Sequence, residues 1–151
     1  MLIKIVDDDQ VFVKKIKDIV YDNFKDIFLD YSIECITSNF EAQYFEKGDI
    51  FFLDIDLKEK NGIKIAEEIR ENNSNAIIIF VSAMNDMIFD SLIVQPFYFI
   101  RKDNFDRDMK IACTLIQKYI NKNHKIITFD FNGKKTAIQL SDIIYFRIVF
   151  T

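Results

Sequence analysis

Short continuous apolar runs alternate along this chain with stretches whose apolar residues recur every three or four positions. Leu2 to Val6 reads as a strand, and Val11, Phe12, Ile16, Ile19, Val20, Phe24 and Ile27 follow at helical spacing. Tyr31 to Cys35 alternates in the strand period. Ser38, with Glu41 three positions later, has the form of a capping box and predicts a helix through Phe45 that stops near Gly48. Ile50 to Leu53 is the next strand. A helix is predicted from Gly62 to about Asn72, with Ile63, Ile65, Ala66 and Ile69 as its buried face. Ala76 to Val81 is a continuous apolar run, Met87 to Val94 a weak helix, and Phe97 to Ile100 a short strand. A last helix carries Phe105, Met109, Ala112, Leu115, Ile116 and Tyr119 inward. Strands that are apolar throughout are buried on two faces, so five of them alternating with helices predict an α/β domain around a mainly parallel sheet.

The pattern changes after residue 121. Ile126 to Phe131 and Lys134 to Leu140 flank Asn132-Gly133, the strongest short-range signal for a hairpin with a tight primed turn, and Ile143 to Phe150 reads as a third strand. Two units follow: residues 1–121, and 126–151 beyond a polar linker at 122–125. Charge divides the same way. Residues 1–123 hold 16 basic and 22 acidic side chains, whereas 124–151 hold 4 and 2.

Composition narrows the class further. A chain of 151 residues, 50% hydrophobic, with three Gly, one Pro and 16 Phe, has ample material for one well-buried domain and is not disordered. Cys35 and Cys113 lie far apart within apolar patterns, with neither CxxC nor Cys/His spacing, and read as two reduced core thiols. The opening apolar run is too short for a signal peptide, and no window reaches the roughly 18 apolar residues of a membrane span. A cytoplasmic protein with no membrane partner is expected.

Parallel sheets place their sites at the carboxyl ends of the strands, and that is where the conspicuous polar residues fall. Asp7, Asp8 and Asp9 follow the first strand, Asp54 and Asp56 the third, Ser82 the fourth, Arg101 and Lys102 the fifth. An acid at the end of a core strand, as in FFLDIDLKEKNG at 51–62, is costly unless it is paired, hydrogen-bonded or bound to a metal. Clustered carboxylates suit a hard cation such as Mg2+, which takes oxygen ligands and retains waters. With Lys102 as a compact positive charge and Ser82 as a hydroxyl donor, the crevice could hold a phosphoryl group, and Asp54 is the candidate nucleophile for an aspartyl phosphate. Plainer readings stand beside these. The acidic triplet could cap a helix, Asp54 and Lys102 could form a structural ion pair, Ser82 could be a turn residue, and Phe99 could be core.

IVDDD near the start, FFLDIDLKEKNG about fifty residues on, VSA at 81–83 and FIRK at 99–102 together resemble the receiver domain of two-component response regulators. The resemblance implies a flavodoxin-like, doubly wound (βα)5 receiver with a five-stranded parallel sheet. It implies that Asp54 is the phosphoacceptor and that Mg2+ is held by Asp8, Asp54 and the backbone carbonyl of Asp56, with Asp7 acting through water. It assigns Ser82 as the switch hydroxyl, the Ala83 backbone to phosphate binding, Phe99 as the switch aromatic and Lys102 as the catalytic lysine. It implies a sensor histidine kinase as partner, homodimerisation on phosphorylation, and no enzymatic activity beyond self-phosphorylation and autodephosphorylation. Two departures stand out. Asp103 follows Lys102 where the family commonly has proline, and Phe99 replaces the commoner tyrosine.

ITFDFNGKKTAIQLSDIIYF resembles the opening strands of the LytTR-type DNA-binding domain. A whole module of that kind is several times longer than the 28 residues from His124 to Thr151. The expectation is therefore a truncated output module, with DNA bound only through a complete one. Two other functions remain open from sequence. LDIDL also matches the DxD pattern of haloacid dehalogenase-like phosphohydrolases, with Asp54 as nucleophile and Asp56 as general acid/base. The domain could also be a phosphorylation-independent pseudo-receiver that only binds proteins.

Overall fold

A computed structural model describes residues 1–25, 31–123, 126–131 and 134–139. Its elements run β1 (Leu2–Val6), α1 (Gln10–Phe24), β2 (Ser32–Ile36), β3 (Ile50–Leu53), β4 (Asp56–Leu57), β5 (Lys60–Asn61), α2 (Gly62–Asn72), β6 (Ile77–Ser82), α3 (Ile88–Ser91), β7 (Tyr98–Arg101), α4 (Phe105–Asn123), β8 (Ile126–Phe131) and β9 (Lys134–Gln139). The chain divides into two compact units, Met1–Cys113 and Thr114–Thr151.

In the first unit, five strands form one parallel sheet in the order β2-β1-β3-β6-β7. The order reverses direction beside β1, and β1 and β3 lie adjacent. Such a switch point opens a crevice at the carboxyl ends of those strands. Alternation along the strands sends Val6, Phe51, Leu53, Ile78 and Phe80 to the face covered by α2, where Ile63, Ile65, Ala66 and Ile69 complete the core. Ile3, Ile5, Phe52, Ile79 and Val81 take the other face and are fully buried as well. Continuous apolar strands are accounted for by this two-sided burial.

Helix α2 begins and ends where the pattern predicts, and its four expected core residues are buried. Helix α1 is rotated from expectation. Its buried stripe is Val13, Ile16, Val20 and Phe24, while Val11 is 75% exposed. Asp9 is the N-cap, its carboxylate accepting from the Val11 amide at 2.8 Å, which puts Val11 in the first turn and off the stripe. On α4 the buried positions include Phe105, Met109, Ala112, Cys113 and Ile116, whereas Leu115 and Tyr119 are exposed. Leu115 lies one residue, about 100°, off the stripe that runs through Ile116. Ile27 lies outside the described residues.

The helix predicted from the Ser38–Glu41 capping box does not form. Its place holds a single 3-10 turn, Ala42–Tyr44, preceded by Asn39 in the left-handed region at φ 54 and with no side chain capping it. Phe40 and Phe45 explain the difference, because both are buried in the α2-side core. Residues five apart on an α-helix point about 140° apart, so one helix could not turn both inward. The turn is pinned instead by Lys4, buried at 5% on β1, which donates to the Tyr44 carbonyl and pairs with Glu34 at 3.1 Å. Cys113 is buried as expected, but Cys35 is exposed, since β2 is an edge strand with thinner cover.

In the second unit, β8 and β9 pair antiparallel, with Ile126 opposite Gln139 and Phe131 opposite Lys134. This is the predicted hairpin. The Asn132-Gly133 turn, the linker residues 124 and 125, and the third strand at Ile143–Phe150 lie outside the described residues. Among the described residues, no helix is long and apolar enough to cross a membrane.

Candidate functional site: three carboxylates and a buried lysine

The ladder carries the backbone just past the strand ends, so the acids after β1 and β3 are held with the sheet's precision. The Asp7 amide donates to the Ile36 carbonyl at 3.2 Å and the Asp54 amide to the Val6 carbonyl at 2.8 Å. The acidic triplet then splits by role. Asp9 caps α1, while Asp7 and Asp8 turn into the crevice, where carboxylate oxygens of Asp7, Asp8 and Asp54 all lie within 4.8 Å of one another. Asp7 and Asp54 are buried, at 1% and 4% exposure.

Lys102 answers this concentration of negative charge. Its ammonium donates to Asp54 Oδ2 at 2.6 Å and contacts Asp7 Oδ2 at 2.8 Å. The directed hydrogen bond goes to Asp54, and the contact with Asp7 is one of charge, so Asp7 Oδ2 is a buried oxygen without a hydrogen bond. Asp7 Oδ1 accepts from the Asp9 amide at 2.8 Å. Burial raises the Asp7 carboxyl above its usual range, outweighing the opposite pull of Lys102 and the Asp9 amide. Burial works against the Lys102 charge, but its hydrogen bond to Asp54 and the charges of Asp54 and Asp7 outweigh this and hold the ammonium above its usual range.

The remaining residues frame this centre. Asp54 Oδ1 accepts from the Asp56 amide at 3.3 Å, and the Asp56 side chain is exposed, leaving its backbone as the part that faces the site. The KEKNG loop is a miniature hairpin of β4 and β5, and two of its lysines make ion pairs. Lys58 reaches Asp8 Oδ2 at 3.1 Å, and Lys60 pairs with Glu68 at 2.8 Å. Gly62 is required by close approach. A Cβ there would meet the Asp54 carbonyl oxygen at 1.9 Å and the Ile55 Cα at 2.8 Å.

Ser82 is fully buried at the end of β6, and its Oγ accepts from the Met84 amide at 3.3 Å, a turn bond. Ala83 is exposed, and its carbonyl accepts from the Asn85 amide at 3.0 Å. Phe99 is half-buried on the α2-side core, its ring 6.2 Å from that of Phe80. After Lys102 the chain makes a 3-10 turn, Lys102–Asn104, and Asp103 accepts from Asn85 Nδ2 at 3.2 Å, joining the β6 and β7 loops.

Sequence reasoning missed three residues here, Asp108, Lys58 and Phe12. Arg101 is removed from the crevice by Asp108, buried on α4, which it grips through Nε at 2.8 Å and Nη2 at 3.0 Å. That pairing holds the Asp108 carboxyl below its usual range. Lys58 looked like one of several loop charges. Phe12 looked like core, yet its ring lies under the Lys102 ammonium, 4.6 Å from Nζ to the centroid.

A carboxylate triad with one buried oxygen lacking a hydrogen bond provides the donor set a hard divalent cation takes, so the residues present fit Mg2+. Residues 3–115 match the response regulator receiver domain family, and the chain belongs to it. The sensory transduction protein LytT of Bacillus subtilis is 30% identical over 100 residues, covering 66% of this chain and 40% of that protein. The protein of the same name from Bacillus cereus is 26% identical over 141 residues, covering 93% and 56%. The chain thus spans about half the length of the curated relatives it matches. Among solved structures, the response regulator TrrA of Thermotoga maritima, in complex with Mg2+-BeF, matches with TM-score 0.54 and 25% identity, covering 76% of this chain and 97% of that one. A CheY-like receiver domain protein of Methanospirillum hungatei matches with TM-score 0.63 at 22% identity, covering 80% and 96%. The fold is the CheY-like, flavodoxin-like receiver fold. Neither the phosphohydrolase reading nor the pseudo-receiver reading is favoured.

Proposed function

We propose that this domain is a phosphorylation-dependent switch in which Asp54 accepts a phosphoryl group from a sensor histidine kinase in a Mg2+-dependent reaction. The observation that carries the reading is the position of Lys102, bound to Asp54 at 2.6 Å and to Asp7 at 2.8 Å beside a third carboxylate. Asp8 and Asp54 would hold the metal through their carboxylates and Asp56 through its carbonyl, with Asp7 contributing through water. When bound, Mg2+ neutralises charge between the carboxylate and the incoming phosphoryl group.

An Asp54 oxygen forms the O–P bond as the P–N bond of the donor phosphohistidine breaks. The electron pair leaves on the imidazole nitrogen, which takes a proton from water. Lys102 follows the charge from the Asp54 oxygen to a phosphoryl oxygen, which shields the acyl phosphate without a change of protonation. The Asp56 amide orients Asp54, Ser82 and the Ala83 backbone meet the phosphoryl oxygens, and Phe99 repacks beside Phe80 once the Ser82 turn bond is redirected. The domain has no catalytic task beyond phosphorylating and dephosphorylating itself.

In this reading the receiver spans residues 1–121, is linked by 122–125 to a LytTR-type output module starting at 126, and dimerises on phosphorylation. It acts in the cytoplasm and reaches DNA only through a complete module. Incubation with acetyl phosphate and millimolar Mg2+ should add one phosphate mass by intact-protein mass spectrometry. Asp54→Asn or chelation with EDTA should abolish it, and an unmodified wild-type protein would sink the proposal.

A further inference from the structure

Lys102 has a side chain that is 13% exposed, and its ammonium meets two carboxylates and an aromatic ring. The ring is that of Phe12, on the first turns of α1, and its place is fixed from behind. Phe105, at the start of α4, meets Phe12 edge-on at 5.5 Å and 70°. Lys15 lies over the Phe105 ring at 4.3 Å and pairs with Asp106 at 2.8 Å. Lys102, Phe12, Phe105 and Lys15 thus form a chain of cation–ring, edge-to-face and ring–cation contacts that runs from the crevice to the partly exposed Lys15.

An aromatic face attracts a cation electrostatically and does so without offering it a proton acceptor. A carboxylate in the same position would compete with a phosphoryl group for the ammonium. An aliphatic side chain would fill the space but leave the charge without support when it releases Asp54. The Phe12 face holds the ammonium in place while leaving its three N–H donors free to point at the carboxylates and at what Asp54 comes to carry.

We propose that Phe12 is a positioning residue for Lys102, keeping the ammonium poised between the Asp7–Asp54 pair and the phosphoryl site through its aromatic face. The inference rests on the phosphoryl-transfer reading given above, and two readouts separate the two ideas. The first is the NMR signature of the contact. In wild-type protein the Lys102 ε-methylene protons should be shielded by the ring current; Phe12→Leu, of similar size and apolar, should lose that shielding, and Phe12→Tyr should keep it.

The second readout is the affinity for fluoroberyllate in millimolar Mg2+, followed by 19F NMR. Phe12→Leu should weaken it about three- to tenfold, as expected for loss of a largely desolvated cation–ring contact, and Phe12→Tyr should restore it to within about twofold. Thermal denaturation of both variants separates this from general loosening of α1, which would weaken Leu and Tyr variants together. Wild-type binding that Phe12→Leu leaves unchanged overturns the role of Phe12 alone, as does equal weakening by both variants or an unshielded Lys102 in the wild type. No fluoroberyllate binding by the wild type overturns the phosphoryl reading and the role of Phe12 with it.

Discussion

The floor and the rim of the crevice use the same chemistry, a lysine on an aspartate, under opposite conditions. On the floor, Lys102 is 13% exposed and its partners Asp7 and Asp54 have side chains 1% and 5% exposed. On the rim, Lys58 is 85% exposed and its partner Asp8 is 17% exposed. A charge withdrawn from water must be matched by others nearby, and removing one partner leaves the rest uncompensated. A charge that stays in water is screened and loses little when its partner goes. The floor is therefore built to keep its geometry, and the rim to give it up. That division is what the proposed switch would use, with Lys102 facing a phosphoryl group and Asp8 given over to a metal.

The most damaging test of the floor is Gly62→Ala. The new methyl would stand 1.9 Å from the Asp54 carbonyl oxygen, and the atoms it meets are backbone, which cannot swing aside. Relief requires moving α2 away from the end of β3, against the packing of Ile63, Ile65 and Ile69. Overpacking usually costs about 1–3 kcal/mol, and a clash this close against backbone belongs at the top of that range or beyond it; it is read as a lower urea midpoint, and acyl-phosphate labelling of Asp54 should fall with it. An alanine variant as stable as wild type would mean that the floor is softer than the contrast with the rim requires.

Lys102→Ala comes next. It leaves two buried carboxylates with no cation between them, and breaking a buried pair costs about 3 kcal/mol. The sign of the pH dependence follows from Asp7. Its carboxyl is already raised above the usual 3.8 by burial, so the folded state binds that proton more tightly than the unfolded state. Stability is then recovered as pH falls from the raised value towards 3.8, and the deficit of the variant against wild type should narrow in that acid window. Wild type should behave oppositely in alkali. The Lys102 charge, held above its usual 10.5, contributes fully below that value and is lost as pH rises through the raised one. Urea midpoints of both proteins across the two ranges check this, and a deficit that widens on acidification would refute it.

How much of this was legible in the sequence follows the same divide. Asp7, Asp8, Asp54, Ser82 and Lys102 stand at strand ends, and a parallel sheet brings strand ends together whatever lies between them. α2 was legible for a related reason, since one face carries Ile63, Ile65, Ala66 and Ile69 and nothing opposes it. The segment at 38–48 misled because a local capping signal competed with two phenylalanines that both had to be buried, and burial won. Phe12 was legible as apolar but not as the ring under Lys102, because that contact depends on how α1 is rotated, which Asp9 sets through its cap. Arg101 and Lys102 stand side by side at the end of the fifth strand, and what holds Arg101 apart, a buried Asp108 six residues beyond Lys102 on α4, was not legible.

The smallest effect belongs to the rim and is the sharpest test of the comparison, because its sign is opposite to that on the floor. Lys58 pairs with Asp8, one of the three carboxylates of the triad, so a metal entering the triad would compete with it for that carboxylate. Lys58→Ala removes the competitor together with one repelling positive charge near the cation. It should leave the urea midpoint within error of wild type and tighten Mg2+ binding by about two- to fivefold, the range of an exposed ion pair. Isothermal titration with MgCl2 reads it directly. Because Lys58 is exposed and Asp8 partly so, the gain should shrink as NaCl is raised towards 1 M, where the Debye length is about 3 Å. Weaker Mg2+ binding in the alanine variant, or a gain that salt does not touch, would place Lys58 with Lys102 as part of the fixed floor and remove the distinction between the two lysines.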